Sequence, residues 1–168
     1  MSPILDQNTV DFISHSPEQT QRLGVRLGEL LQAGDLICLE GDLGSGKTCL
    51  VQGIGRGWGV AERLISPTFT LVHEYRRPRD GLYFYHIDLY RVNSSQELYS
   101  LGLDEYLDDS EAVAAIEWAE HARGTLPPER LWVTLRHIDS TRRGLLFSAQ
   151  GPRYEVCLQT FRRRAFGA

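Results

Sequence analysis

The sequence predicts an α/β fold, and three observations point there. First, "DLICLEG", a short apolar run with the character of a buried strand, leads straight into the glycine-rich "GDLGSGKT" and then into "KTCLVQGIGRGW". In that last stretch Leu50, Val51 and Ile54 mark one side of a helix. Second, "FTLVHEYRRPRDGLYFYHIDLYRV" holds two alternating, aromatic-rich runs, and the Asp80–Gly81 pair between them favours a hairpin turn. Third, "EAVAAIEW" is a strand-length apolar run whose polar end is Glu117.

The remaining elements follow in order. Ser16 is a cap and Pro17 suits a first helical turn, with Gln19 completing a capping box. Leu23, Leu27, Leu30 and Leu31 recur at helical spacing, which predicts a helix that stops at Gly34. "NSSQELYSLG" predicts a short helix capped by Ser94 with Glu97 three residues on. Beyond "LPPER", three strands are expected at "LWVTLRH", "GLLFSAQ" and "YEVCL". There is no internal repeat or low-complexity linker, and 168 residues suit a single domain spanning 1–168.

Composition narrows the class. Apolar residues make up 42% and charged residues 24%, as in ordinary soluble globules, and the net charge of −4 carries no overall footprint for nucleic acid. The one basic run, Arg162–Arg164, reads as a solvated tail. Cys38, Cys49 and Cys157 form neither a C-x-x-C pair nor a zinc pattern, so no disulfide and a reducing compartment are expected. The N-terminus lacks the basic region of a secretory signal, and no apolar run reaches the ~18 residues of a membrane span, so a cytoplasmic location without membrane attachment is expected.

Of 18 basic residues, 17 are arginine, and the one lysine, Lys47, falls inside the glycine-rich loop. Gly41, Gly46, Lys47 and Thr48 fit G-x-x-x-x-G-K-[ST], in which backbone N–H groups wrap phosphates, the lysine reaches the β/γ-phosphates and the hydroxyl binds Mg²⁺. A compact ammonium threads among amides where a broad guanidinium does not. The order strand, loop, helix aims free N–H groups and the positive end of a helix dipole at one point. Leu43 and Cys49 matter there through their backbone.

Mg²⁺ takes oxygen ligands and keeps several waters. Asp88 and Glu117 each end an apolar strand-like run, and ligands of open α/β sheets bind outside the carboxyl ends of strands. Two assignments stay open at this point: either acid holds the metal, and the other acts through water or as base for an attacking water. "SPTF", Ser66–Phe69, is either a rigid turn near the γ-phosphate or a simple ST-turn. His86 is either a hydrogen-bonded structural histidine or a proton carrier, and Trp118 is either packing or a lid.

"GDLGSGKT", "SPTFTLV", "HIDLYR", "ELYSLGLDEY" and "IEWAE", in this order and spacing, resemble the TsaE family over about Ser16 to Arg143. That family is the small P-loop ATPase of the bacterial machinery that makes threonylcarbamoyladenosine in tRNA. The resemblance implies a P-loop NTPase fold with a mixed, mainly parallel sheet flanked by helices and an antiparallel hairpin after the loop helix. It implies ATP and Mg²⁺, weak ATP hydrolysis alone, TsaD-like and TsaB-like partners, and contact with tRNA through that complex. Carried over to these positions, Asp42, Leu43, Gly44, Ser45, Gly46, Lys47, Thr48 and Cys49 bind phosphates, and Thr48 and Glu117 hold Mg²⁺. Asp88, with Lys47 and Glu117, serves hydrolysis, and Arg143 (Arg142 being one residue away) reaches the nucleotide. The chain departs from the family pattern in having Cys49 for a second threonine and Ala119 for a proline. A P-loop small-molecule kinase is the alternative, with arginines of "RRPRDG" as its lid. The lack of a second lysine speaks against guanine selectivity.

Overall fold

The computed structural model describes residues 7–67 and 71–167. Seven strands form one sheet: β1 (Thr9–Ser14), β2 (Leu36–Glu40), β3 (Val72–Arg76), β4 (Tyr83–Asp88), β5 (Ala112–Glu117), β6 (Arg130–His137) and β7 (Arg143–Gln150), in the spatial order β1-β7-β6-β2-β5-β4-β3. The central four, β6, β2, β5 and β4, pair in parallel, while β7, β1 and β3 add antiparallel. Five of the seven strands therefore run the same way. The mixed, mainly parallel sheet and the hairpin after the loop helix are as the resemblance implies.

Helices α1 (Pro17–Gly28), α2 (Lys47–Trp58) and α5 (Pro152–Phe166) cover one face, burying Leu23, Leu27, Leu50, Val51, Ile54, Leu158 and Phe161 against Ile37, Leu39, Val113 and Val133. Each fully buried aliphatic side chain contributes about 2 kcal/mol. The short helices α3 (Ser95–Leu101) and α4 (Leu103–Leu107), with a 3-10 turn at Ala119–Ala122, cover the other face over Cys38, Ile87, Ala114, Ile116 and Trp132. Because alternate strand residues point to opposite faces, Phe84, His86 and Asp88 share the α2 side with Ala115 and Glu117.

Ser16 and Ser94 cap α1 and α3 as the sequence predicts, accepting from the N–H groups of Gln19 (3.1 Å) and Glu97 (3.2 Å). The return bond of each box reaches one residue further back, to the N–H of His15 or Asn93. Gly81 adopts φ +76° at the hairpin tip. Two expectations are corrected and one element is new. "YEVCL" is part of α5, not a strand: Pro152 starts the helix, and Tyr154, Cys157, Leu158 and Phe161 form its buried stripe at i, i+3, i+4, i+7, while Val156 is exposed. Helix α1 ends at Gly28, and Gly34 instead turns the chain into β2, its N–H donating to the Ala112 carbonyl at 2.7 Å. Finally, Thr9–Ser14 forms an edge strand in register with β7, an element the sequence reading did not find.

Helices α1 and α2 meet backbone to backbone. A Cβ on Gly24 would lie 2.5 Å from the Leu50 carbonyl oxygen, and one on Gly53 only 2.1 Å from that of Gln21. Gly28 and Gly57 repeat the pattern one turn on. The Cys49 thiol adds a bond to the Pro17 carbonyl at 3.1 Å. The helix that carries the loop is thereby seated closely on its neighbour.

Candidate functional site

The loop between β2 and α2 is shaped by glycines where other residues do not fit. Gly46 turns into the helix at φ +100°, and a Cβ on Gly41 would strike the Leu135 carbonyl oxygen at 2.5 Å and Ser45 Oγ at 2.6 Å. Among the described residues, no protein acceptor takes the main-chain N–H of Gly44, Gly46, Lys47, Thr48 or Cys49. Five such donors at a helix N-terminus form a cradle for an anion.

Lys47 is buried, and its ammonium donates to the carbonyls of Gly41 and, at 3.0 Å, Asp42. It also lies 4.1 Å from the centroid of the Trp118 ring. Burial lowers the pKa of this lysine, against the opposing pull of Glu117, Glu120, Asp88 and Asp42. Trp118 has φ +58°, a left-handed conformation unique among the non-glycine described residues. It costs roughly 1 kcal/mol and swings the indole over the lysine. The ring also packs on Tyr90, centroids 4.9 Å apart.

The parallel pairing of β4 with β5 sets Asp88 beside Glu117 in register. Glu117 is buried although it ends its strand. Its Oε1 accepts from Thr48 Oγ1 at 2.9 Å, and its Oε2 lies 2.5 Å from His86 Nε2. Thr48 Oγ1 is also 3.0 Å from Ser66 Oγ. His86 is fully buried, and its Nδ1 has no partner among the described residues. This geometry favours the structural reading of the histidine, as the group that orients Glu117. Burial raises the Asp88 carboxyl pKa, and Glu117 pushes the same way, while the Tyr90 N–H, donating to Asp88 Oδ1 at 2.9 Å, opposes them.

These groups converge on a cleft of about 340 Å³, lined by Leu43 to Cys49, Ser66, Asp88, Tyr90, Glu117 and Trp118. Asp42 is exposed and turns its carbonyl, not its carboxylate, toward Lys47. Cys49 lines the cleft while its thiol points back to α1. Arg143 reaches the loop from outside, its Nε donating to the Gly44 carbonyl at 3.0 Å, whereas Arg142 is held by Asp139 at 2.7 Å. Of "SPTF", Ser66 borders the cleft, and Thr68 and Phe69 lie outside the described residues. The sequence reading missed Tyr90 and Glu120. The Glu120 carboxyl is pushed up by burial, and its Oε1 is buried without a partner among the described residues. Neither carries a local signal: Tyr90, just after β4, reaches the site by packing on Trp118, and Glu120 reaches Lys47 only through the folded turn after β5.

The residues fit a hydrated Mg²⁺ beside a polyphosphate. Thr48 and Glu117 set two oxygens 2.9 Å apart at the end of the amide cradle. No group of three or more His, Cys, Asp or Glu side chains suited to a metal occurs among the described residues. Arg77 does not serve as a lid, being buried, paired with Asp80 at 2.6 Å and stacked 3.6 Å from the Trp58 centroid.

Residues 14–145 match the family model described as "Threonylcarbamoyl adenosine biosynthesis protein TsaE". The chain belongs to the TsaE family. TsaE of a Nostoc species is 50% identical over 119 residues, covering 69% of this chain and 71% of the relative. TsaE of Bacillus subtilis is 38% identical over 149 residues, covering 88% and 90%. Both relatives are named tRNA threonylcarbamoyladenosine biosynthesis proteins. The crystal structure of Bacillus subtilis YdiB superposes with a TM-score of 0.78 at 32% identity, covering 94% of this chain and 96% of that one. The fold is thus shared with a chain that differs at about two thirds of the aligned positions. No helix among the described residues is long and apolar enough to cross a membrane.

Proposed function

We propose that this TsaE chain binds and hydrolyses ATP with Mg²⁺, and that hydrolysis drives or resets a cytoplasmic TsaD–TsaB complex that modifies the adenosine next to the anticodon of tRNA. The observation that carries this reading is the Thr48–Glu117 pair, 2.9 Å apart, set beside Asp88 and at the mouth of the amide loop. The N–H groups of Gly44, Gly46, Lys47, Thr48 and Cys49 hold the phosphates. Lys47 exchanges its carbonyl partners at Gly41 and Asp42 for phosphate oxygens and neutralises charge that builds up during transfer. Thr48 and Glu117 would hold Mg²⁺, with His86 fixing the carboxylate. An ion bound there would supply positive charge to the phosphate oxygens.

Asp88, oriented by the Tyr90 N–H, accepts the proton of the attacking water. A carboxyl with a raised pKa is a stronger base than an exposed aspartate. Arg143 adds positive charge beside Gly44. The test is ADP release by the purified chain with and without TsaD and TsaB. Stimulation by the two proteins supports the reading. ADP release that depends instead on a small metabolite overturns it in favour of a kinase.

A further inference from the structure

The net charge of −4 conceals a polarised molecule. Helices α1, α2 and α5, on one face of the sheet, carry eight basic and two acidic residues, a net of +6. Residues 95–111, on the other face, carry six acids and no base. Part of the positive face is committed internally: Arg153 pairs with Asp35 at 2.7 Å, Arg162 donates to the Thr9 carbonyl, and Lys47 belongs to the loop.

Arg22, Arg26 and Arg56 are not so committed. All three are exposed and line one groove of about 320 Å³, Arg22 and Arg26 one turn apart on α1 and Arg56 in the last turn of α2. Among the described residues none of them has a hydrogen-bond acceptor or an ion pair, although Arg77, Arg123, Arg136, Arg142 and Arg153 each have an acid partner. Glu29 borders the groove without pairing to any of the three. Arg56 also lines a second cavity, with Gln21, Gln52, Arg63 and one acid, Glu62.

Three guanidinium groups along one groove repel each other unless an anion lies between them, and guanidinium matches phosphate through paired N–H donors. We propose that this face binds the phosphate backbone of RNA. Protein partners draw their energy from apolar anchors at an interface, and the exposed large hydrophobic residues, from Ile13 to Val156, include none on α1 or α2. Backbone phosphates need no such anchor. The identity of the polyanion as tRNA rests on the role proposed above. Arg56 stands nine residues beyond Lys47 on α2, about 14 Å at 1.5 Å per residue, so phosphate binding here and nucleotide binding in the cleft are separable.

The experiment measures binding of a labelled tRNA transcript by the full chain across a salt series. Its variants are R22E/R26E/R56E, the milder R22Q/R26Q/R56Q, and the pair R22E/R26E against R79E/R136E, matched in charge. Affinity of the wild type should fall steeply with salt, and the triple reversal should lower it roughly tenfold or more at low salt. The slope of log affinity against log salt should become shallower by about 2 with the triple reversal or the glutamine set, while basal ATP turnover is unchanged. No binding by the wild type at low salt overturns the proposal. Equal losses in the two charge-matched doubles also overturn it, leaving only a net-charge effect. Unchanged RNA affinity together with lost binding to TsaD–TsaB overturns it in favour of an acidic protein surface. Loss of ATP turnover already in the wild type would count against the ATPase reading and leave the RNA result standing on its own.

Discussion

Replacing Gly53 by alanine opposes two physical effects whose sum has a definite sign. Intrinsic propensity favours alanine in a helix by about 1 kcal/mol. The new Cβ, however, would lie 2.1 Å from the Gln21 carbonyl oxygen and 3.0 Å from both the Gln21 carbonyl carbon and Gly24 Cα, where ordinary contact begins at 3.4 Å. The shortfall of 1.3 Å is against main chain, which has no rotamer to change. Helix α1 cannot yield at that point alone, because Gly24, Gly28 and Gly57 make equally close approaches along the same seam. Overpacking of this kind costs about 3 kcal/mol, the upper part of the usual range. The net effect is a loss of about 2 kcal/mol after the propensity gain, or a melting temperature about 4–8 °C lower for a chain of this length. Urea unfolding measures it as a shift in midpoint at constant slope. Gly124→Ala, where nothing lies within 4 Å of the added carbon, should be close to neutral. A Gly53→Ala variant as stable as the wild type would refute the reasoning about the seam.

Three other substitutions probe the cleft. Lys47→Arg should abolish nucleotide binding by calorimetry as completely as Lys47→Ala does, since a planar fork does not fit between the Gly41 and Asp42 carbonyls and the Trp118 ring. His86→Leu removes one partner of a buried carboxylate and should cost about 2 kcal/mol in urea unfolding; nucleotide affinity should lose its Mg²⁺ dependence more than its Mg²⁺-free value. Asp88 has a raised folded-state pKa, so the folded chain binds more protons there than the unfolded one, and stability falls as pH rises from the ordinary carboxylate pKa to the raised one. Asp88→Asn should therefore melt higher than wild type at pH 7, with the difference vanishing below the ordinary carboxylate range, while ATP turnover drops.

The loop was legible because its chemistry is local: eight consecutive residues specify a cradle whatever the rest of the chain does. Asp88 and Glu117 were legible as strand ends, since an apolar run that stops on an acid marks the sheet's rim. The partnership of Glu117 with His86 was not, because it depends on strand register across 31 residues of sequence. Nor was the seam between α1 and α2. The spacings Gly24 to Gly28 and Gly53 to Gly57 are plain in the sequence, but nothing in either helix says that it faces the other. The C-terminal helix was misread because five residues, "YEVCL", alternate by accident, and only the full stretch from Pro152 to Phe161 declares its period. Trp118 gives no hint of its left-handed backbone, which the surrounding fold imposes.

Glu117 touches α2 with one oxygen and β4 with the other. A single carboxylate thus rivets the phosphate loop to the rim of the sheet, and neither end can drift without the other sensing it. Engineering this protein for heat resistance by repacking β4 against β5 would retune its chemistry at the same stroke, because here the scaffold's alignment and the site's dimensions are one quantity.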